Sequence, residues 1–277
     1  VLLAPEDVLH AFGMSVYGAM APMVGHPNSP VIMEPIFAID MHVRALSTAS
    51  LSAMADIMRA THLDEAIFAS LCRESDMYHV LQRCAILVSR MALTMPPPMF
   101  HDMVRATASW PDLCRRLIST SATLSHARSR KLVALGLAHM LRHASAQDKG
   151  LLSAVPDMIG MWTEVVGEVV EDEAGSADRY EREMSPTRAL EIGEDGIPFL
   201  DEFGLIEAAP TPSSARTDAV RSRDPSFNVP LRAYVADTLN AVLQNGSYKT
   251  QLQSLLATID PLVLDTLQRG LSERPVA

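Results

Sequence analysis

The segment MYHVLQRCAILVSRMALTMPPPMF, residues 77–100, decides the fold. Met77, Val80, Leu81, Cys84, Leu87, Val88, Met91 and Met95 recur at steps of three and four, which places them on one face of an α-helix. Pro96-Pro97-Pro98 ends that helix, because consecutive prolines lack N–H donors and clash with the preceding turn. Phe100, Met103 and Val104 begin another. Read alone, the segment is one amphipathic helix, a stop and a second helix. The rest of the chain repeats that grammar.

Downstream, Ser109 followed by Asp112 matches a capping box with Pro111 in the first turn, and the helix it opens carries Leu113, Leu117 and Ile118. A further helix runs through Leu132, Leu135, Met140 and Leu141. The next covers about 151–171, with Met158, Met161, Trp162, Val165, Val166 and Val169 as its apolar side. Pro156 either kinks it or marks its first turn. Past residue 224, Phe227, Leu231, Tyr234, Val235, Leu239 and Val242 resume the helical period, and Asn245-Gly246 caps it. Leu252, Leu255, Leu256 and Ile259 form one more, before Asp260-Pro261 opens the last with Leu264, Leu267 and Leu271. Upstream, Val8, Phe12, Val16 and Met20 form a stripe that the loop 25–30 breaks. Ile36, Ile39, Val43 and Leu46 resume it, 51–63 adds a helix, and 64–73 continues or restarts that one.

About ten helices of mostly 12–20 residues, a pair recurring about every 40 residues and no sustained strand alternation predict an all-α fold. The expected architecture is an α-α superhelix, a HEAT/armadillo-type solenoid of antiparallel helix pairs. Long bundles and all-α enzymes share the pattern and stay open as alternatives. Composition agrees: 48% hydrophobic residues with only 5% aromatic ones, and sixteen methionines, suit helix packed on helix.

Charge is unevenly placed. Residues 164–207 hold fourteen acidic residues against three arginines, a local balance of −11 in a chain whose formal net charge is −10. The remainder is close to neutral. The expected organisation is helical repeats over 1–173, an acidic and largely flexible insert over 174–224, and C-terminal repeats over 225–277 on the same solenoid. Ile197, Phe199, Leu200, Phe203, Leu205 and Ile206 interrupt the insert and suggest first a short segment packed back on the body, with a hydrophobic patch for a partner as the second reading. Concentrated carboxylates attract basic partners, so Glu164, Glu168, Glu171, Asp172 and Glu173 are candidate partner-binding residues. An acidic last turn opposes the helix dipole, so helix stability does not account for it. Trp162 is read first as core, with a partner-facing role as its second reading. Arg128, Arg130 and Lys131, in the densest basic group together with Arg115 and Arg116, are read as ion-pairing between repeats or clamping the acidic segment. Without interleaved aromatics they do not suggest a direct nucleic-acid surface.

Chemistry is sparse. His139 and His143 lie four apart, yet no HExxH glutamate or third ligand accompanies them, which favours a structural pair over a metal site. Adjacent carboxylates at 171–173 do not converge on one point. No phosphate loop, dinucleotide fingerprint or nucleophile elbow is present. The expectation is no catalytic residue, no cofactor, no metal and no enzyme. Cys72, Cys84 and Cys114 follow no paired spacing and read as buried free thiols of a reducing compartment. No apolar run is read as spanning a bilayer and no secretory signal is read at the start, so neither membrane insertion nor export is expected. The opening without Met, directly on a helical pattern, predicts a piece of a longer chain.

Two stretches resemble a known family. Arg128-Ser-Arg-Lys-Leu-Val-Ala-Leu-Gly-Leu-Ala-His-Met-Leu141 and Val155-Pro-Asp-Met-Ile-Gly-Met-Trp-Thr-Glu-Val-Val-Gly-Glu-Val-Val-Glu-Asp172 resemble the late repeats of the importin-β (karyopherin-β) nuclear transport receptors. The order of acidic loop, Arg221-Ser-Arg-Asp-Pro-Ser-Phe-Asn-Val-Pro-Leu-Arg232 and terminal helices looks like the C-terminal region of the importin-eleven branch. The likeness is clearest over 126–243. It implies the C-terminal, cargo-binding arch of an import receptor that shuttles between cytoplasm and nucleus, with basic cargo proteins as partners. It implies Ran-GTP binding chiefly through N-terminal repeats and contact with phenylalanine-glycine nucleoporins on the outer face, both through the full-length receptor. No Ran-contacting residue carries over onto this chain. A HEAT-repeat scaffold or adaptor outside transport is the alternative.

Overall fold

The computed structural model describes residues 5–26, 32–73, 77–148, 150–183, 224–244 and 248–272, and of residues 170–183 only the backbone. Among them are thirteen α-helices and no strand. They are α1 (Pro5–Gly25), α2 (Met33–Ala45), α3 (Thr48–Ala60), α4 (Leu63–Cys72), α5 (Tyr78–Thr94), α6 (Pro97–Thr107), α7 (Trp110–Ser121) and α8 (Ala127–Arg142). A 3-10 turn (Leu152–Ala154) leads into α9 (Val155–Glu183), followed by α10 (Pro225–Asn228), α11 (Leu231–Gln244), α12 (Lys249–Leu256) and α13 (Pro261–Ser272).

The packing is a ladder. Helices α2, α5, α8 and α11 stack side by side in one row; α1, α4, α7, α9 and α13 stack in a second row against it. A third helix joins each of the first two units, with α3 and α6 lying beside one another and against α4. Successive members of the first row begin at Met33, Tyr78 and Ala127. The repeat is therefore a three-helix unit of roughly 45–50 residues, near the length of armadillo and HEAT units. An all-α repeat superhelix is what the sequence predicts; the grouping of the first two units into threes is what it does not.

Local chemistry explains the element ends. Met95 is extended after α5, and Pro97 and Pro98 occupy the first turn of α6, where a missing N–H costs nothing. Ser109 caps α7 by accepting the Asp112 N–H, and Asp260 caps α13 by accepting the Leu262 N–H at 2.8 Å. Between α3 and α4 the chain breaks at His62, which adopts a left-handed conformation (φ 56°), so 64–73 restarts rather than continues. Pro156 lies in the first turn of α9.

Three expectations need correction. The helix predicted to end at 171 runs on to Glu183, since Glu, Ala and Arg continue without a proline before Pro186. Asp224, assigned to the far end of the insert, is buried in the body. The remaining insert residues, 184–223, lie outside the described residues, as do Asn245, Gly246 and residues 27–31. Finally, α1 is long and apolar enough to cross a bilayer by length and composition. One face of it packs on the ladder through Leu9, Tyr17 and Val24, with the Tyr17 hydroxyl donating to His42 Nδ1 at 2.6 Å.

The core runs continuously through both rows. Helix α5 is buried almost all round, as a helix with neighbours on every side must be. It approaches α8 closely at Gly136: a Cβ built there would lie 2.8 Å from the Ser89 Cβ and 3.0 Å from its Cα. Cys84 and Cys114 are buried free thiols pushed up to about 12 by burial, and Cys72 is half-buried.

Candidate functional site

The acidic face of α9 stands over α8. Glu164 and Glu168 lie one turn apart, and both reach the Arg130 guanidinium: Nη1 pairs with Glu168 Oε1, and Nη2 lies 3.4 Å from Glu164 Oε2. Arg130 is nearly covered, whereas the Glu164 side chain is 67% exposed and that of Glu168 40%. One cation between two carboxylates leaves a net negative charge facing solvent. An exposed pair of this kind adds only about 0–1 kcal/mol to stability, so its chief physical effect is on the local potential. Glu171, Asp172 and Glu173 follow on the same helix, with side chains outside the described residues.

The other sequence-selected residues are placed differently. Trp162 is fully buried and its indole N–H donates to the Ala134 carbonyl at 3.1 Å, so it braces α9 on α8 and presents no surface to a partner. Arg128 lies over the Phe227 ring, 4.0 Å from its centroid, joining α8 to α10. Lys131 is buried. The basic trio is thus spread over three separate environments.

His139 and His143 approach to 4.4 Å between ring centroids, but His139 Nδ1 hydrogen-bonds the Tyr234 hydroxyl, linking α8 to α11. Burial, then the neighbouring His143, His101 and Arg142 charges, hold His139 down at about 4. Among the described residues no group of three or more His, Cys, Asp or Glu is arranged to hold a metal.

Two buried polar clusters were not foreseen. Asp148, between α8 and α9, accepts from His101 at 3.0 Å, from the Trp110 indole at 3.1 Å and from the Ser145 N–H at 2.7 Å. Burial pushes its carboxyl up, yet these donors outweigh burial and hold it below the usual range. The second cluster joins Asp40 and Arg44 of α2, Arg90 of α5 and Asp224, the N-cap of α10. Arg90 Nε donates to Asp40 at 2.8 Å and its Nη1 to Asp224; Arg44 pairs with Asp40 at 2.8 Å and lies 3.8 Å from Asp224. All four side chains are buried. A signal existed for it: Asp40 and Arg44 one turn apart within an apolar stripe, and Arg90 on the packed α5. Pairing Arg90 with Asp224 bridges 134 positions, beyond any local pattern.

A family model described as Importin-11-like, TPR repeats matches residues 1–272. The comparisons with curated proteins and with solved structures gave no match.

Proposed function

The chain belongs to the importin-11-like repeat family of importin-β-type transport receptors, and from that premise we propose that it forms a cargo-binding portion of a nuclear import receptor. Its cargo would be basic proteins, and the receptor would shuttle between cytoplasm and nucleus. Ran-GTP and nucleoporins would engage through the full-length receptor. The observation that carries the reading is the acidic face of α9: two half-exposed to exposed carboxylates, sharing a single arginine, on a helix that extends well past the core contacts of Val169. Clustered carboxylates on a rigid helix attract Lys- and Arg-rich segments and accelerate encounter.

The test is binding of a Lys/Arg-rich peptide to the chain at several salt concentrations. Replacing Glu168, Glu171, Asp172 and Glu173 with their amides should weaken binding at low salt and flatten its salt dependence. Unchanged affinity would remove the α9 tail from cargo recognition.

A further inference from the structure

Helices α10–α13 differ from the ladder they lie on. Few of their apolar side chains are fully packed: Leu231, Val235, Val242, Leu252 and Leu267, fewer than α5 buries alone. Thr238 Oγ1 and Tyr248 Oη within this unit, and the second ring nitrogen of His139 beneath it, are buried without a hydrogen-bond partner among the described residues. Buried polar atoms left unpaired lower the stability of a docked state, and thinly packed units open ahead of the whole molecule. Against this stands, beside the His139–Tyr234 and Arg128–Phe227 contacts, one buried ionic tether. Asp224 at the start of α10 accepts from Ser226 N–H at 3.0 Å and Ser226 Oγ at 2.8 Å, while its other oxygen meets Arg90.

We propose that α10–α13 form a separately opening unit, latched onto the repeat ladder by the Asp224 carboxylate in the buried Asp40–Arg44–Arg90–Asp224 cluster. Two arginines and two aspartates balance, so removing the one aspartate that comes from the unit leaves an uncompensated buried cation on the ladder side. Arg90 is shared between Asp40 of α2 and Asp224, so a change in spacing between α2 and α5 is felt at the latch. Opening uncovers the faces of α8 and α9 against which α11 and α13 pack. The inference rests on packing and charge alone and stands or falls independently of the transport reading.

Amide hydrogen exchange tests it. In Asp224→Asn, exchange over 231–244 and 249–272 should rise at least tenfold, while α1, α3, α4 and α6 stay within twofold of the parent protein. An equal rise in every helix, or none in α11–α13, overturns the latch. Should that variant not fold, Ser226→Ala removes one hydrogen bond to the carboxylate without changing charge. It should raise exchange about threefold in the same helices, and no change there overturns the proposal. In the parent protein, α11–α13 should exchange through an opening with a weaker urea dependence than global unfolding; convergence of all helices on one urea dependence refutes a separate unit.

Discussion

His139 is held neutral by its surroundings, and that has a consequence for stability. Its folded value of about 4 lies below the ordinary 6.5, so between those values the unfolded chain takes a proton that the native state refuses. The stabilisation is complete above pH 6.5 and is lost as pH falls toward 4. At pH 5 the loss from this residue alone is about 2 kcal/mol. His42 and His143, also lowered chiefly by burial, act in the same sense. Asp148 and Asp224 work in a different window: depressed carboxylates keep their contribution above about pH 4 and lose it only below. Urea unfolding at pH 7.5 and 5.0 should therefore show a clear drop in stability, and His139→Gln should shrink that drop by about 2 kcal/mol. An equal drop in the variant would mean that His139 is protonated in the folded protein.

Between elements, α5 and α8 come into close contact at Gly136. The atoms in the way are Ser89 Cβ, Cα and carbonyl oxygen, so a new methyl group meets backbone that yields only if the helices separate. Gly136→Ala should gain about 1 kcal/mol in helix propensity yet lose about 1–3 kcal/mol to overpacking, for a net loss in denaturant midpoint. Ser89→Ala is the informative contrast. The Ser89 hydroxyl is buried without a hydrogen-bond partner among the described residues, so its removal should be neutral or slightly stabilising. Ser89→Gly in the Gly136→Ala background should recover only part of the loss, because the Ser89 Cα and carbonyl remain. The contrast also marks how far elements were legible in sequence. The α5 stripe, the Ser109 cap and the Asp260-Pro261 start follow local rules and are found where those rules place them. The break at His62 is not decided by sequence, because a left-handed histidine has no signature like that of glycine. The grouping by three in the first two units is not legible, because α3 and α6 look like members of pairs until row packing separates them.

For the molecule as a whole, charge partition was readable and charge pairing was not. An acidic stretch set against a neutral body is a matter of composition. That Arg130 neutralises part of it, that Trp162 is spent on bracing α9, and that Asp224 returns into the core are products of contacts between α8, α9, α10 and the first row. These contacts give the sharpest test of the acidic surface. If basic segments dock on α9, Arg130 competes with them for Glu164 and Glu168. Arg130→Gln then leaves both carboxylates uncompensated and makes the surface more negative by one charge. Affinity for a Lys/Arg-rich peptide should rise by roughly two- to fivefold at low salt, the scale of one exposed pair, and the gain should fade once the Debye length drops below ~8 Å near physiological ionic strength and beyond. The substitution removes a positive charge, so no general loss of folding can imitate tighter binding. Weaker or unchanged binding would place the contact for basic partners elsewhere on the ladder, and would leave Arg130 as a pin between α8 and α9 only.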